Sequence, residues 1–281
     1  VSIDSSSFFG LEVVANVSEG QRQNVIDEIA VAGGTSLLDL HSDPYHNRSV
    51  FSLYGRTLRD DLRSLAIKTI EKIDIASHHG VHPRIGSLDV VPFVWLNLDL
   101  GISKCTEDDA RQARDLFATW LWEELSVPSY LYGTGRTLPR LRSDFNAGQA
   151  PDIGDLSKVQ RSGAVAVGER GLLVAYNLIV EETLESAKSI AAQLRSKYVR
   201  TLALEVGGST QISANLIEPL DFGPIEFYRA VAKLTKISSS ELVGLVPSIN
   251  LSSMTDEDLR PFGLSKDKTI EAALQRQGLI Q

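Results

Sequence analysis

With one cysteine, Cys105, the chain cannot form an intrachain disulfide, so no disulfide framework holds the fold. Positive charge is also in short supply. Against 36 Asp and Glu stand 28 Lys and Arg, a formal net charge of -8. That balance argues against a surface built broadly for phosphate backbones or anionic lipid, so neither nucleic acid nor membrane is expected as a partner. No apolar run approaches the roughly 18 residues of a membrane helix. The opening stretch, VSIDSSSFFG, lacks the basic and apolar segments of a secretory signal, which makes the cytoplasm the expected location. Gly133-Thr134-Gly135 and Gly207-Gly208 fit neither GxGxxG nor GxxxxGK[ST], and HExxH and GxSxG are missing. What remains is 281 residues, 43% hydrophobic. That is enough for a large core and, at about 150 residues per domain, for two domains.

Patterning predicts a strand over 11–17 and a helix over 21–31 on Val25, Ile26, Ile29 and Val31, stopped by Gly33-Gly34. Strands follow over 35–41 and 49–55. A second helix starts at Thr57 as N-cap with Asp60 at the third helical position. The apolar run 87–96 reads as a strand, placed at an edge or bulge by Pro92, which has no N–H for a ladder. Thr106 with Asp109 opens a helix to Leu125, and 127–133 is a strand. Residues 134–163 read as a connection, whose Arg136, Arg140 and Arg142 are taken as solvated. Two strands, or one bulged strand, around Gly168–Gly171, a helix over 184–197, strands over 199–206 and 211–220, a helix over 224–234, a strand over 241–246 and short helices complete the chain. The fold class is α+β: two tandem ferredoxin-like βαββαβ halves, 1–150 and 151–281.

Titratable residues concentrate in SHHGVHPRIGSLD, Ser77 to Asp89. Pro83 biases His82 toward extended backbone, and Gly80 and Gly86 permit turns on either side. Such a loop can present His82, whose imidazole titrates near neutrality, beside Arg84, a permanent charge that forks onto carboxylates. The bland alternative is a loop histidine bonded to a backbone carbonyl. His78 and His82 have the spacing of zinc ligands on a helix, but Gly80 and Pro83 oppose a helix there, and no metal is expected. A second cluster, LDLHSDPYHNRSV, gathers His41, Asp43, His46, Asn47 and Arg48 around an Asp-Pro turn. In a third, ANVSEGQR, Ser18 or Glu19 either caps a helix or leaves its N–H groups for a ligand carboxylate.

These segments in order resemble the formiminotransferase family. ANVSEG matches its PNxSEG-like turn, LLDLHSDPYHNR its LLD-x-D…NR loop, and HHGVHPRIGSLDVVPF its H-x-G-E-H-P-R-x-G-[AS]-L-D-V-x-P-F stretch. EELSVPSYLYG, APDIG, GAVAVGERGLLVAYN, QISANL and LVGLVP follow in family order. The resemblance implies transfer of a formimino group from N-formimino-L-glutamate to N5 of tetrahydrofolate, a co-substrate, without a metal. It implies two halves whose sheets face a substrate cleft, and a homodimer. His82 takes the place of the family's catalytic acid–base. The folate-binding stretch maps to Gly163, Ala164, Val165, Ala166, Val167, Gly168, Glu169, Arg170, Gly171 and Leu172. His41, Asp43, Asn47, Arg48, Arg84 and Asp89 complete the expected substrate site, with Arg48, Arg84 and Arg170 set against substrate carboxylates. The chain departs from the pattern at Val81, where the family has Glu, and at His41, where it has a second acid. Two alternatives therefore stay open. One is a paralogue that transfers or cyclises the formyl group of 5-formyltetrahydrofolate, and the other is a non-catalytic folate binder.

Overall fold

The computed structural model describes residues 8–81, 83–101, 104–158 and 161–281. His82 lies outside them. The chain divides into two compact units between Gly171 and Leu172.

The first unit runs β1 (Leu11–Val17), α1 (Gln23–Ala32), β2 (Leu37–Asp43), β3 (Arg48–Leu53), α2 (Leu58–Lys72), β4 (Leu88–Trp95), α3 (Glu107–Leu125), β5 (Ser129–Tyr132), α4 (Leu138–Asn146) and β6 (Val165–Gly171). Its six strands lie in the order β2-β3-β1-β4-β6-β5. The pairs among the first four are antiparallel, while β6 runs parallel to both β4 and β5. Period-two alternation gives the sheet two unlike faces. Leu11, Val13, Ala15 and Val17 of β1 join Ile26, Ile29, Leu62, Leu65 and Phe117 in one core. Glu12, Val14 and Asn16 occupy the opposite face. There α4 covers the β5–β6 end, packing Leu138, Leu141 and Phe145 with Tyr130, Tyr132, Ala164 and Ala166.

The second unit runs β7 (Val174–Val180), α5 (Leu184–Leu194), β8 (Val199–Val206), β9 (Ser209–Leu216), α6 (Pro224–Ala232), β10 (Ile237–Val243), α7 (Asp256–Leu259) and α8 (Ile270–Arg276). Its antiparallel sheet has the order β10-β7-β9-β8 and a core of its own around Tyr176, Leu178, Ile212 and Phe227.

Several expectations change. Pro92 lies in a central strand, between β1 and β6, and not at an edge. The β1 ladder passes over it, from Val13–Phe93 to Asn16–Val90. Residues 134–163 contain a helix, α4, begun by Thr137, whose hydroxyl accepts from the Arg140 N–H. Val31 is 82% exposed at the end of α1, off its buried face of Val25, Ile26 and Ile29. Thr57 precedes α2 without capping it, because its hydroxyl donates to Asp61 instead. The boundary between units falls after 171 and not after 150, since β6 is needed to complete the first sheet.

Candidate functional site

The polar centre of the first unit grows from a bulge. Asn16 pairs with Val90 and Val17 with Leu88, so Asp89 is an extra residue on β4 with no partner in β1. A bulge of this kind re-aims a side chain that would otherwise follow the strand's alternation. The Asp89 carboxylate is fully buried and accepts from Arg48 Nη1 at 2.6 Å, from Arg142 Nη2 at 3.3 Å and from the Ile85 N–H at 2.7 Å. Burial pushes this carboxyl up, but the Arg48 and Arg142 guanidiniums and the bonds from Arg48 and Ile85 outweigh it and hold it below the ordinary range. Arg48 is steadied in turn by Asn16, whose Oδ1 accepts from Nε at 3.1 Å and Nη2 at 2.8 Å.

Beside it, Arg84 laces two loops together. Its Nη1 donates to the Asn47 carbonyl at 3.1 Å and lies 2.7 Å from His78 Nε2, and its Nη2 donates to the His46 carbonyl at 2.9 Å. Burial and then the neighbouring Arg48 bring its pKa down to about 10. Burial and the Arg84 charge also lower His78, which favours the neutral imidazole. Asn47 closes the junction, accepting from the Gly20 N–H and donating to the His79 carbonyl, both at 2.8 Å.

The segment that follows Arg84 is fastened to the glycine-rich strand. Ala164 N–H donates to the Ile85 carbonyl at 2.9 Å and Ser87 N–H to the Ser162 carbonyl at 2.7 Å. Gly86 and Gly163 face each other across this bridge. A Cβ on Gly86 would meet the Ala164 carbonyl oxygen at 2.1 Å, and one on Gly163 the Ile85 carbonyl oxygen at 2.4 Å. Neither side of the contact admits a larger residue. Beyond it, Ala164 and Ala166 pack on the α4 side of the sheet, and Val165 and Val167 enter the helical core. Glu169 also points toward the helices, accepting from Arg114 Nη1 at 2.5 Å and the Thr134 N–H at 2.7 Å. Arg170 shares a rung of the sheet with Val94 and, through it, with Glu12. Burial, opposed by Arg170 and reinforced by Asp39, raises the Glu12 carboxyl to about 7. Burial likewise raises the Tyr132 hydroxyl, despite Arg170 and Arg142 nearby.

Of the residues singled out in the sequence, Asn47, Arg48, Arg84 and Asp89 therefore come together, close to Gly163 and Ala164. Asp43 shapes its turn, accepting from the Tyr45 and His46 N–H groups at 2.7 and 2.9 Å. His41 sits on the edge strand β2, opposite Val50. Glu19 accepts from the Gln21 and Arg22 N–H groups in the turn before α1, and α1 itself starts at Gln23 without a side-chain cap. Arg142 was missed: its neighbours in the basic cluster, Arg136 and Arg140, pair with Asp144 and Asp152, while Arg142 reaches Asp89. The signal was present in TLPRLRSDF. A Thr137 N-cap and Pro139 in the first turn accompany Leu138, Leu141 and Phe145 at helical spacing, which sets Arg142 beside a packed face. Among the described residues no three His, Cys, Asp or Glu side chains gather as a metal-ligand set, and no helix is long and apolar enough to cross a membrane.

A family model described as "Formiminotransferase domain, N-terminal subdomain" matches residues 10–170. The chain belongs to the formiminotransferase family. That match stops one residue short of the boundary between the two compact units. Relatives within the family include a glutamate formimidoyltransferase of Thermoplasma acidophilum, 32% identical with 95% of this chain and 97% of that protein covered. Another, of Streptococcus pyogenes serotype M1, is 31% identical with 85% and 89% covered. A formimidoyltransferase-cyclodeaminase of Sus scrofa is 32% identical over 96% of this chain, which spans 56% of that protein's length. The Arg48–Asp89 pair and the Gly86–Gly163 contact thus lie inside the formiminotransferase match.

Proposed function

We propose that this chain transfers the formimino group of N-formimino-L-glutamate to N5 of tetrahydrofolate, with His82 as general acid–base. The observation that carries the reading is the set of three guanidiniums, Arg48, Arg84 and Arg142, gathered around one buried carboxylate at the foot of the HPR loop. An acidic chain that concentrates positive charge there suits substrates that both carry carboxylates.

In the reaction, N5 of tetrahydrofolate adds to the formimidoyl carbon, giving a tetrahedral intermediate. Its bond to the glutamate nitrogen then breaks, and the proton shed by N5 goes to that leaving nitrogen. One imidazole can take the first proton and deliver it, a contribution of about 10²–10⁴-fold. Arg84, two residues along the chain from His82, is anchored on the His46 and Asn47 carbonyls. The stretch Gly163–Leu172 is the proposed folate-binding segment, with Arg170 on the same face of the sheet as Glu12. Each unit follows the chain order βαββαβ with its first four strands in spatial order 4-1-3-2, which supports reading both halves as ferredoxin-like. Family likeness supports a homodimer acting in the cytoplasm.

The test is a turnover assay with tetrahydrofolate and N-formimino-L-glutamate, run beside 5-formyltetrahydrofolate. Turnover of the first pair, with kcat lowered about 10²-fold or more in His82→Ala and folate affinity little changed, is the expected result. Wild-type activity should rise with pH through the histidine pKa, because neutral imidazole assists attack. Turnover of 5-formyltetrahydrofolate alone, or folate binding without turnover, would overturn the proposal.

A further inference from the structure

Arg142 reaches Asp89 from a helix 53 residues further along the chain. Arg48, Arg84 and Arg142 lie close enough to act on one another electrostatically, and Asp89 acts on all three. Its Oδ2 already accepts from both Arg48 and Arg142, and its Oδ1 from a backbone N–H.

Of the three arginines, Arg142 has the most unused donor capacity. Its bond to Asp89 is long, at 3.3 Å, and it makes no other hydrogen bond among the described residues. Its Nε is buried without a partner. The side chain retains about a fifth of its exposure, so it is reachable from outside. Its helix, α4, is anchored on the sheet by Leu141, which is fully buried. A fixed guanidinium with an empty N–H edge matches a carboxylate, which can accept two parallel bonds from it.

We propose that Arg142 is a substrate-binding residue that receives a carboxylate of a glutamate or glutamyl group, with Asp89 and Arg48 holding it in position. This rests on the formimino-transfer reading. The carboxylate belongs either to the formimino donor or to the glutamyl tail of the folate.

The experiment compares wild type with Arg142→Gln, Arg142→Lys and Arg140→Gln. Arg140 is 69% exposed and pairs with Asp144, so it controls for charge on the same helix. Losing a hydrogen bond between charged groups is expected to raise one KM about tenfold or more in Arg142→Gln, with kcat changed less. A raised KM for N-formimino-L-glutamate alone assigns the carboxylate to the donor. A raised KM for tetrahydrofolate, with tetrahydropteroate unaffected, assigns it to the folate tail. Either supports the site, and Arg142→Lys should recover only part of the loss. Unchanged values for both substrates in a wild-type-like fold, checked by circular dichroism, overturn it while leaving formimino transfer intact. Calorimetric titration of L-glutamate and tetrahydrofolate separates the two ideas. If wild type binds them without turnover and Arg142→Gln binds either about tenfold more weakly, formimino transfer fails and the carboxylate site stands. If neither protein binds them, both fail.

Discussion

Glu12 shows how a single buried carboxyl sets a pH dependence for the whole first unit. The group is 5% exposed, and burial raises it from 4.5 to about 7 against the opposing pull of Arg170. In the unfolded chain it titrates near an ordinary carboxylate value. Between about 4.5 and 7 the folded protein keeps a proton that the unfolded chain releases, so stability falls as pH rises through that window and levels off above it. The full effect is on the order of 3 kcal/mol. Urea titrations of wild type and Glu12→Gln at pH 4.5, 6, 7 and 8 measure it. The wild type should lose stability relative to the variant from pH 4.5 to 7, with a constant difference beyond, and curves that stay parallel throughout would refute the assignment. At this scale the sequence was informative where chemistry is local. Arg84 and Asp89 lie in one loop-and-strand segment and read as a pair of interest. Arg142 lies 53 residues from the carboxylate it touches, and that meeting depends on how α4 crosses the sheet.

Helix starts show the same division. For α3, Thr106 and Asp109 form a reciprocal capping box three residues apart, and both partners are legible in the local spacing. For α2 the same reasoning points to Asp60, yet Asp61 carries the contacts. Its Oδ2 accepts from Thr57 Oγ1 at 2.7 Å, Ser36 Oγ at 2.7 Å and the Ser36 N–H at 3.0 Å. Ser36 belongs to the turn before β2, so the deciding partner is remote in sequence. Asp61→Ala should therefore cost about 2 kcal/mol, through the loss of bonds to a charged acceptor, against about 0.5 kcal/mol for the exposed Asp60→Ala. Thermal and urea denaturation of the two variants checks this, and equal losses would return the role to Asp60. Pro92 failed as an edge marker for a related reason. Whether β4 is central depends on β6, some seventy residues further on, and not on anything near the proline.

Across the whole molecule, the element order was largely readable because apolar periodicity is local, whereas the division of strands between sheets was not. The run 163–180 looks continuous, but Val165–Gly171 completes the first sheet and Val174–Val180 begins the second. A fragment ending at 150 would leave β4 with an open edge and remove Val165 and Val167 from the first core. A fragment ending at 171 should melt cooperatively and sediment as a defined species, while one ending at 150 should aggregate or melt without a transition. Matching melts for the two would show that β6 is dispensable. The same arrangement has a consequence for synthesis in the cell. Among the described residues, strand β5 pairs with β6 and with no other strand, yet Ser129 is translated well before its partner Val165. At about 5–20 residues per second the delay lasts seconds, far longer than a hairpin needs to form. The nascent chain must therefore carry Ser-Tyr-Leu-Tyr as an unmatched apolar strand for that interval, and what shields it on the ribosome decides how much of the protein reaches its sheet.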